Sequence, residues 1–130
     1  MDKKKILLVD DEMDIRLTLE KGLIIKGYSV ITADNGNDGV SLARLKHPDL
    51  IILDRALGDM LGEETAEILK KDPRTNDIPI IFISALFSKK EEIENYHLFG
   101  DHKMFAKPYD MGELVAVIEE IFGEKQIKAE

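Results

Sequence analysis

The chain has 130 residues, of which 44% are hydrophobic and 34% charged, with a net charge of −8 and a pI near 4.9. One compact domain is the natural reading, with too much apolar material for a disordered chain, and the acidity disfavours non-specific binding to DNA or anionic membranes. The sequence contains no cysteine, which excludes disulfides, thiolate nucleophiles and cysteine-based metal sites.

The opening "MDKKKILLVDDE" carries three lysines and then a short apolar run that stops at two aspartates. A signal peptide would stay apolar up to a small-residue cleavage site, so the expectation is a soluble cytoplasmic protein. "ILLV" (6–9) reads as a strand, and residues 12–26 as a helix with Ile15, Leu19 and Leu23 on one face. Gly27 breaks the pattern before a second strand, "SVITA" (29–33). "DNG" (34–36) leads into a helix over 37–46 with Val40 and Ala43 on its inner side, and "HPD" (47–49) ends it. The third strand, "LIIL" (50–53), runs straight into Asp54, and Gly58 and Gly62 mark the connection to a helix over 63–71 carrying Ala66 and Leu69.

"DPRTND" (72–77) turns the chain into a fourth strand, "IPIIFIS" (78–84). A weaker helix over 88–98, with Ile93 and Tyr96, is followed by "FGD" (99–101) and a fifth strand, "KMFA" (103–106). The clearest stripe closes the series over 110–122: Met111, Leu114, Val115, Ile118 and Phe122. The polar "GEKQIKAE" at the end reads as a frayed tail or the stump of a linker, so the domain is taken as 1–123 and the tail as 124–130.

Strand and helix thus alternate five times, and the first four strands are apolar with little alternation, as parallel strands covered on both faces are. The expected fold is an α/β doubly wound, five-stranded parallel sheet of flavodoxin-like order 2-1-3-4-5 with five helices. In that order the first and third strands are neighbours, and Asp10, Asp11 and Asp54 converge at one rim, where open α/β sheets bind ligands. Two like charges about 5 Å apart repel by roughly 3 kcal/mol at an effective dielectric of about 20, so such a cluster demands a cation or raised pKa values. Oxygen-only donors favour Mg²⁺ or a similar ion such as Mn²⁺, which takes one or two carboxylates plus phosphate oxygens. Ser84, at the end of the fourth strand, offers a hydroxyl to a phosphoryl oxygen, and Lys107, just after the fifth and before Pro108, offers a point charge.

The stretches "LLVDDE" (7–12), "DLIILDRALGDMLG" (49–62), "FISA" (82–85) and "FAKP" (105–108), in that order and spacing, resemble the receiver domains of two-component response regulators, the CheY-like family. The resemblance covers residues 4–123. It implies that Asp54 is the phosphoacceptor, taking a phosphoryl group from a phosphohistidine on a sensor histidine kinase or phosphotransfer protein. It implies Mg²⁺ held by Asp11, Asp54 and the backbone carbonyl of Ala56, with Asp10 acting mostly through a water. It implies Ser84 and Lys107 on the phosphoryl oxygens, and a switch in which Ser84 moves inward and the surface of the fourth helix, fifth strand and fifth helix shifts for a partner. That partner would be a downstream protein or an output domain missing from this chain. The domain itself would be a signalling switch and not an enzyme beyond its own phosphorylation and dephosphorylation. It would not bind nucleic acid or membrane, and would be a monomer or a phosphorylation-dependent dimer.

The chain departs from that family at several positions. Gly58 stands where proline is usual, and Met104 where the switch aromatic is usual; Phe105, one place on, should face the other way in a strand. Arg55 should either pair with acids or be solvated. Leu86, two residues after Ser84, brings no polar group to guide water, so slow dephosphorylation is expected. The alternatives are a degenerate receiver that binds partners without phosphorylation, an aspartate-nucleophile phosphatase, and a flavin-binding module. Ala56 stands where the phosphatase needs a second aspartate, and "DDEMD" is too acidic for a flavin phosphate loop. Taken singly, the aspartates could be helix caps, Ser84 a loop hydroxyl, Lys107 a solvated charge and Asp59 a turn acid. His47, His97 and His102 lack metal-ligand spacing.

Overall fold

The computed structural model describes residues 3–84, 103–106 and 110–129. Its elements are β1 (Lys5–Val9), α1 (Met13–Ile25), β2 (Ser29–Ala33), α2 (Gly36–Lys46), β3 (Leu50–Asp54), α3 (Gly62–Lys71), β4 (Ile80–Ser84), β5 (Lys103–Ala106) and α4 (Met111–Ala129). The helix predicted over 88–98 lies outside the described residues, so the one predicted over 110–122 is α4. The sheet has five strands in the order β2-β1-β3-β4-β5, all neighbours parallel, as the sequence predicts.

Alternation along each strand explains why both faces are covered. Leu7, Val9, Ile51, Leu53, Ile80, Phe82 and Met104 point to the layer of α2 and α3, where Val40, Ala43, Ala66 and Leu69 meet them. Ile6, Leu8, Leu50, Ile52, Ile81, Ile83 and Phe105 point to the layer of α1 and α4, against Leu19, Leu23, Leu114 and Ile118. A fully buried aliphatic side chain contributes about 1.5–3 kcal/mol over an exposed one, so these two layers are what holds the strand ends in place.

Two boundaries and the burial of one strand depart from the sequence reading. β4 starts at Ile80 because Ile78 still closes a turn onto the Thr75 carbonyl (3.1 Å), and Pro79 has no N–H to give. β2 is only half-buried along most of its length, because it is the sheet edge and one flank lacks a neighbour. α4 continues to Ala129, past the end of the apolar stripe; Glu124, Lys125, Gln126 and Lys128 are good helix formers and no proline stops them.

The "DPRTND" turn does more than break a helix. Thr75, buried, donates its hydroxyl to the Leu69 carbonyl (2.7 Å), and Asp72 accepts from Arg74 on its own turn and from Arg44 on α2 (both 2.8 Å). The end of α3 is thereby tied to α2.

Candidate functional site

The β1–β3 register, Val9 beside Leu53, carries Asp10, just past the end of β1, beside Asp54, the last residue of β3. Both are buried, at 0% and 3% exposure, whereas Asp11 and Glu12 are exposed. One carboxylate oxygen from each of Asp10, Asp11, Glu12 and Asp54 lies within 4.8 Å of the others. The convergence of Asp10, Asp11 and Asp54 was legible from the sequence; Glu12 was not singled out there, although "DDE" puts it next in line. Glu12 is the N-cap of α1, yet its side chain makes no capping bond, and glutamate is not a favoured residue at that position.

The backbone holds the acids in place. The Asp10 N–H donates to the Ala33 carbonyl (3.1 Å), the Glu12 N–H to Asp10 Oδ1 (2.9 Å), and Arg16 Nη1 to the Asp10 carbonyl (2.8 Å). The Ala56 N–H points back to Asp54 Oδ1 (3.3 Å). Arg55 pairs with Glu63 in the first turn of α3 (3.3 Å), so of the two readings of this residue the structure shows an acid partner outside the strand-end cluster.

The segment from 55 to 62 is a small hairpin. Gly62 donates to the Arg55 carbonyl (2.7 Å), and Ala56 and Leu61 form an antiparallel bridge. Leu57 turns into the core at 7% exposure, and Leu61 donates to Glu64 Oε1 (3.2 Å) at the start of α3. Gly62 has no room for a side chain: a Cβ would lie 2.5 Å from the Asp54 carbonyl oxygen and 2.8 Å from Arg55 Cα. Asp59, read from sequence as a turn acid, reaches across to α2 and accepts from the N–H groups of Gly36 (2.8 Å) and Asn37 (2.9 Å). Those two amides hold its carboxyl below the usual carboxylate range.

Ser84 ends β4, buried, with Ile83 paired to Asp54 and Ser84 itself to Ala106. Lys107 follows Ala106 in sequence but, with Pro108, Leu86, His97 and His102, lies outside the described residues. Met104 is buried among Leu53, Leu57 and Phe82, while Phe105 faces the α1 and α4 layer, so the aromatic one place on does face the other way. A cleft of about 480 Å³ opens past the end of β2, lined by Arg16, Asp34, Asp38 and Ser41 among others. None of the four clustered acids lines it, although two residues of its lining, Arg16 and Ala33, bond the Asp10 backbone.

Charge and donor type say what the cluster can hold. Two buried carboxylates this close repel by about 3 kcal/mol at an effective dielectric near 20, and a divalent cation removes that cost. All donors are oxygens, which fits a hard ion such as Mg²⁺ or Mn²⁺ and fits zinc poorly.

Comparison with known proteins agrees with this architecture. The family model described as "Response regulator receiver domain" matches residues 6–119. "Probable transcriptional regulator ycf27" of Cyanophora paradoxa is 37% identical over 121 residues, covering 93% of this chain and 49% of that protein. "Phosphate regulon transcriptional regulatory protein PhoB" of Pseudomonas aeruginosa is 36% identical over 118 residues, covering 91% of this chain and 51% of that protein. The chain therefore spans about half the length of the curated relatives it matches. Among solved structures, a CheY-like receiver domain protein from Methanospirillum hungatei superposes with a TM-score of 0.84. It is 24% identical, with 98% of this chain and 99% of that one covered, a likeness that speaks for the fold alone.

Proposed function

The chain belongs to the response regulator receiver domain family of two-component signalling, and on that premise we propose that it is a phosphorylation-activated switch with Asp54 as its phosphoacceptor. The supporting observation is the clustering of Asp10, Asp11, Glu12 and Asp54 within 4.8 Å at the ends of β1 and β3. Two of the four, Asp10 and Asp54, are buried, and buried like charges side by side call for a cation or a raised pKa.

In this reading an Asp54 oxygen attacks the phosphorus of a phosphohistidine on a sensor kinase or phosphotransfer protein. The O–P bond forms as the N–P bond breaks, and the departing imidazole nitrogen takes back a proton. The product is an aspartyl phosphate. Burial of Asp54 excludes bulk water from the attacking oxygen, and the Ala56 N–H at 3.3 Å from Oδ1 helps orient the carboxylate. Asp10, Asp11, Asp54 and the Ala56 carbonyl would hold Mg²⁺ or Mn²⁺, which when bound neutralises charge on the transferring group. The Ser84 hydroxyl donates to one phosphoryl oxygen, and Lys107 supplies a positive charge to another.

Neutralising and then phosphorylating the cluster would shift the surface made by the predicted helix 88–98, β5 and α4, where a downstream protein or an output domain reads the state. The relatives named as transcriptional regulators favour a transcriptional read-out in the whole protein. The net charge of −8 argues against direct DNA contact by this domain. Leu86, two residues after Ser84 in the sequence, offers no polar group to guide water onto the phosphorus, so the phospho-form should outlast seconds; a half-life of only seconds contradicts that expectation. Met104, buried and apolar at the position of the usual switch aromatic, favours a read-out that does not run through an aromatic rotamer.

The test is phosphorylation by acetyl phosphate. Uptake should require Mg²⁺ or Mn²⁺, and the product should be cleaved by hydroxylamine, as acyl phosphates are. Failure to take up phosphate with metal present would favour the degenerate receiver instead.

A further inference from the structure

We propose that Asp59 is a positioning residue of the acid site, acting as a clamp that holds the Ala56 carbonyl in place by fastening the 55–61 hairpin to the start of α2. The proposal rests on the metal-dependent phosphoacceptor reading above.

The first N–H groups of a helix have no partner inside it. Asn35, the N-cap of α2, satisfies only one of them, accepting from Asp38 N at 2.8 Å. The two that precede it, on Gly36 and Asn37, are taken by the two oxygens of Asp59, at 2.8 and 2.9 Å, from a segment 23 and 22 residues away in sequence. One carboxylate thus makes two charge-assisted bonds in a forked geometry, which fixes orientation as well as distance.

Packing reinforces the clamp. A Cβ at Gly36 would come within 2.5 Å of Met60 Cγ in the hairpin and 2.9 Å of Thr65 Oγ1 in α3, so a larger residue at 36 would have to displace those side chains. At the tip, by contrast, Gly58 is exposed, and a Cβ there would meet nothing within 4 Å. The tip is therefore held at Asp59 and Met60, and the residue before them adds freedom instead of a contact.

The clamp closes a ring around the site. The Asp10 N–H bonds the Ala33 carbonyl at the end of β2 (3.1 Å). Three residues further on the chain reaches Gly36, which is gripped by Asp59, and from Asp59 the hairpin runs back to Ala56 and Asp54. The β1–β3 pairing sets the distance between Asp10 and Asp54, but Ala56 lies two residues past the end of β3. Its carbonyl is fixed by the hairpin, and the hairpin tip by α2.

The experiment separates positioning from plain helix stability by using a second cap on the same helix. Asp59→Ala removes the clamp; Asn35→Ala removes an ordinary cap of α2 and leaves the hairpin attached. Both should lower the thermal midpoint. Mn²⁺ binding to the unphosphorylated protein, followed by electron paramagnetic resonance, should weaken on the order of ten-fold in Asp59→Ala, the usual size of an effect transmitted through a ligand's support. It should stay near wild type in Asn35→Ala. Amide exchange at Ala56 and Gly62 should quicken only in Asp59→Ala, and Asp59→Asn, which keeps one acceptor oxygen, should restore part of both. Equal affinities and equal exchange in the Asp59 and Asn35 variants would overturn the clamp while leaving the phosphoacceptor reading intact. Wild-type protein that binds no Mn²⁺ would overturn both.

Discussion

Gly62 has space for a hydrogen and nothing larger, because the carbonyl of the proposed phosphoacceptor, Asp54, sits where a Cβ would go. Gly62→Ala should cost about 1–3 kcal/mol, the usual penalty for overpacking against backbone that cannot give way. It should also slow phosphorylation, because relief of the clash displaces Asp54 itself. Gly58→Ala is the contrasting case. Its φ lies outside the left-handed region and a methyl meets nothing, so it should be neutral or stabilising by up to about 1 kcal/mol through the unfolded chain. Urea unfolding of the two variants checks both signs. The sequence marked both glycines as breakers and set Gly58 apart only as a departure from the usual proline; which of them has room for a side chain depends on the backbone that folding brings opposite. Asp59 is a similar case: a turn acid by local reading, whose partners lie 22 and 23 residues earlier in the chain. Asp54 was legible because a carboxylate directly after four aliphatic residues is a local anomaly that calls for an explanation.

At the scale of elements, the link between α2 and the end of α3 gives a pH test. The Arg74 side chain first, then the Arg74 backbone N–H, with Arg44 adding to them against some desolvation, hold the Asp72 carboxyl well below the usual carboxylate range. A carboxyl whose folded pKa is depressed stabilises the protein above its unfolded pKa, near 3.8, and loses that contribution as pH falls through the folded value. The stability difference between wild type and Asp72→Asn should therefore be constant near neutrality and shrink below about pH 4; a difference that grows on acidification would refute the assignment. On the opposite face, Ile118 of α4 is fully buried, and Ile118→Ala should cost about 2–5 kcal/mol in urea unfolding. Among the described residues, the apolar stripes foretold which helix faces are buried. They stopped short of the end of α4, because a polar helical extension carries no stripe, and they could not show that β2 is half-exposed, because edge position is a property of the sheet and not of the strand.

For the whole molecule, the alternation of five strands with helices and the acids at the ends of β1 and β3 carried the fold and the centre of the site. What the sequence left hidden is the ring of contacts from β1 through β2, α2 and the 55–62 hairpin back to β3, since each link joins residues far apart along the chain. On the clamp proposal, that ring is what holds the Ala56 carbonyl beside the strand-end acids. The central claim is that Asp54 becomes covalently phosphorylated when a divalent ion neutralises its neighbours. Intact-mass analysis with peptide fragmentation, after incubation with acetyl phosphate and Mg²⁺, tests it directly. The account predicts a gain of one phosphoryl group on the peptide holding Asp54, absent without metal and absent in Asp54→Asn. Phosphate uptake that survives in Asp54→Asn, or none at all in wild-type protein that binds the metal, would contradict it.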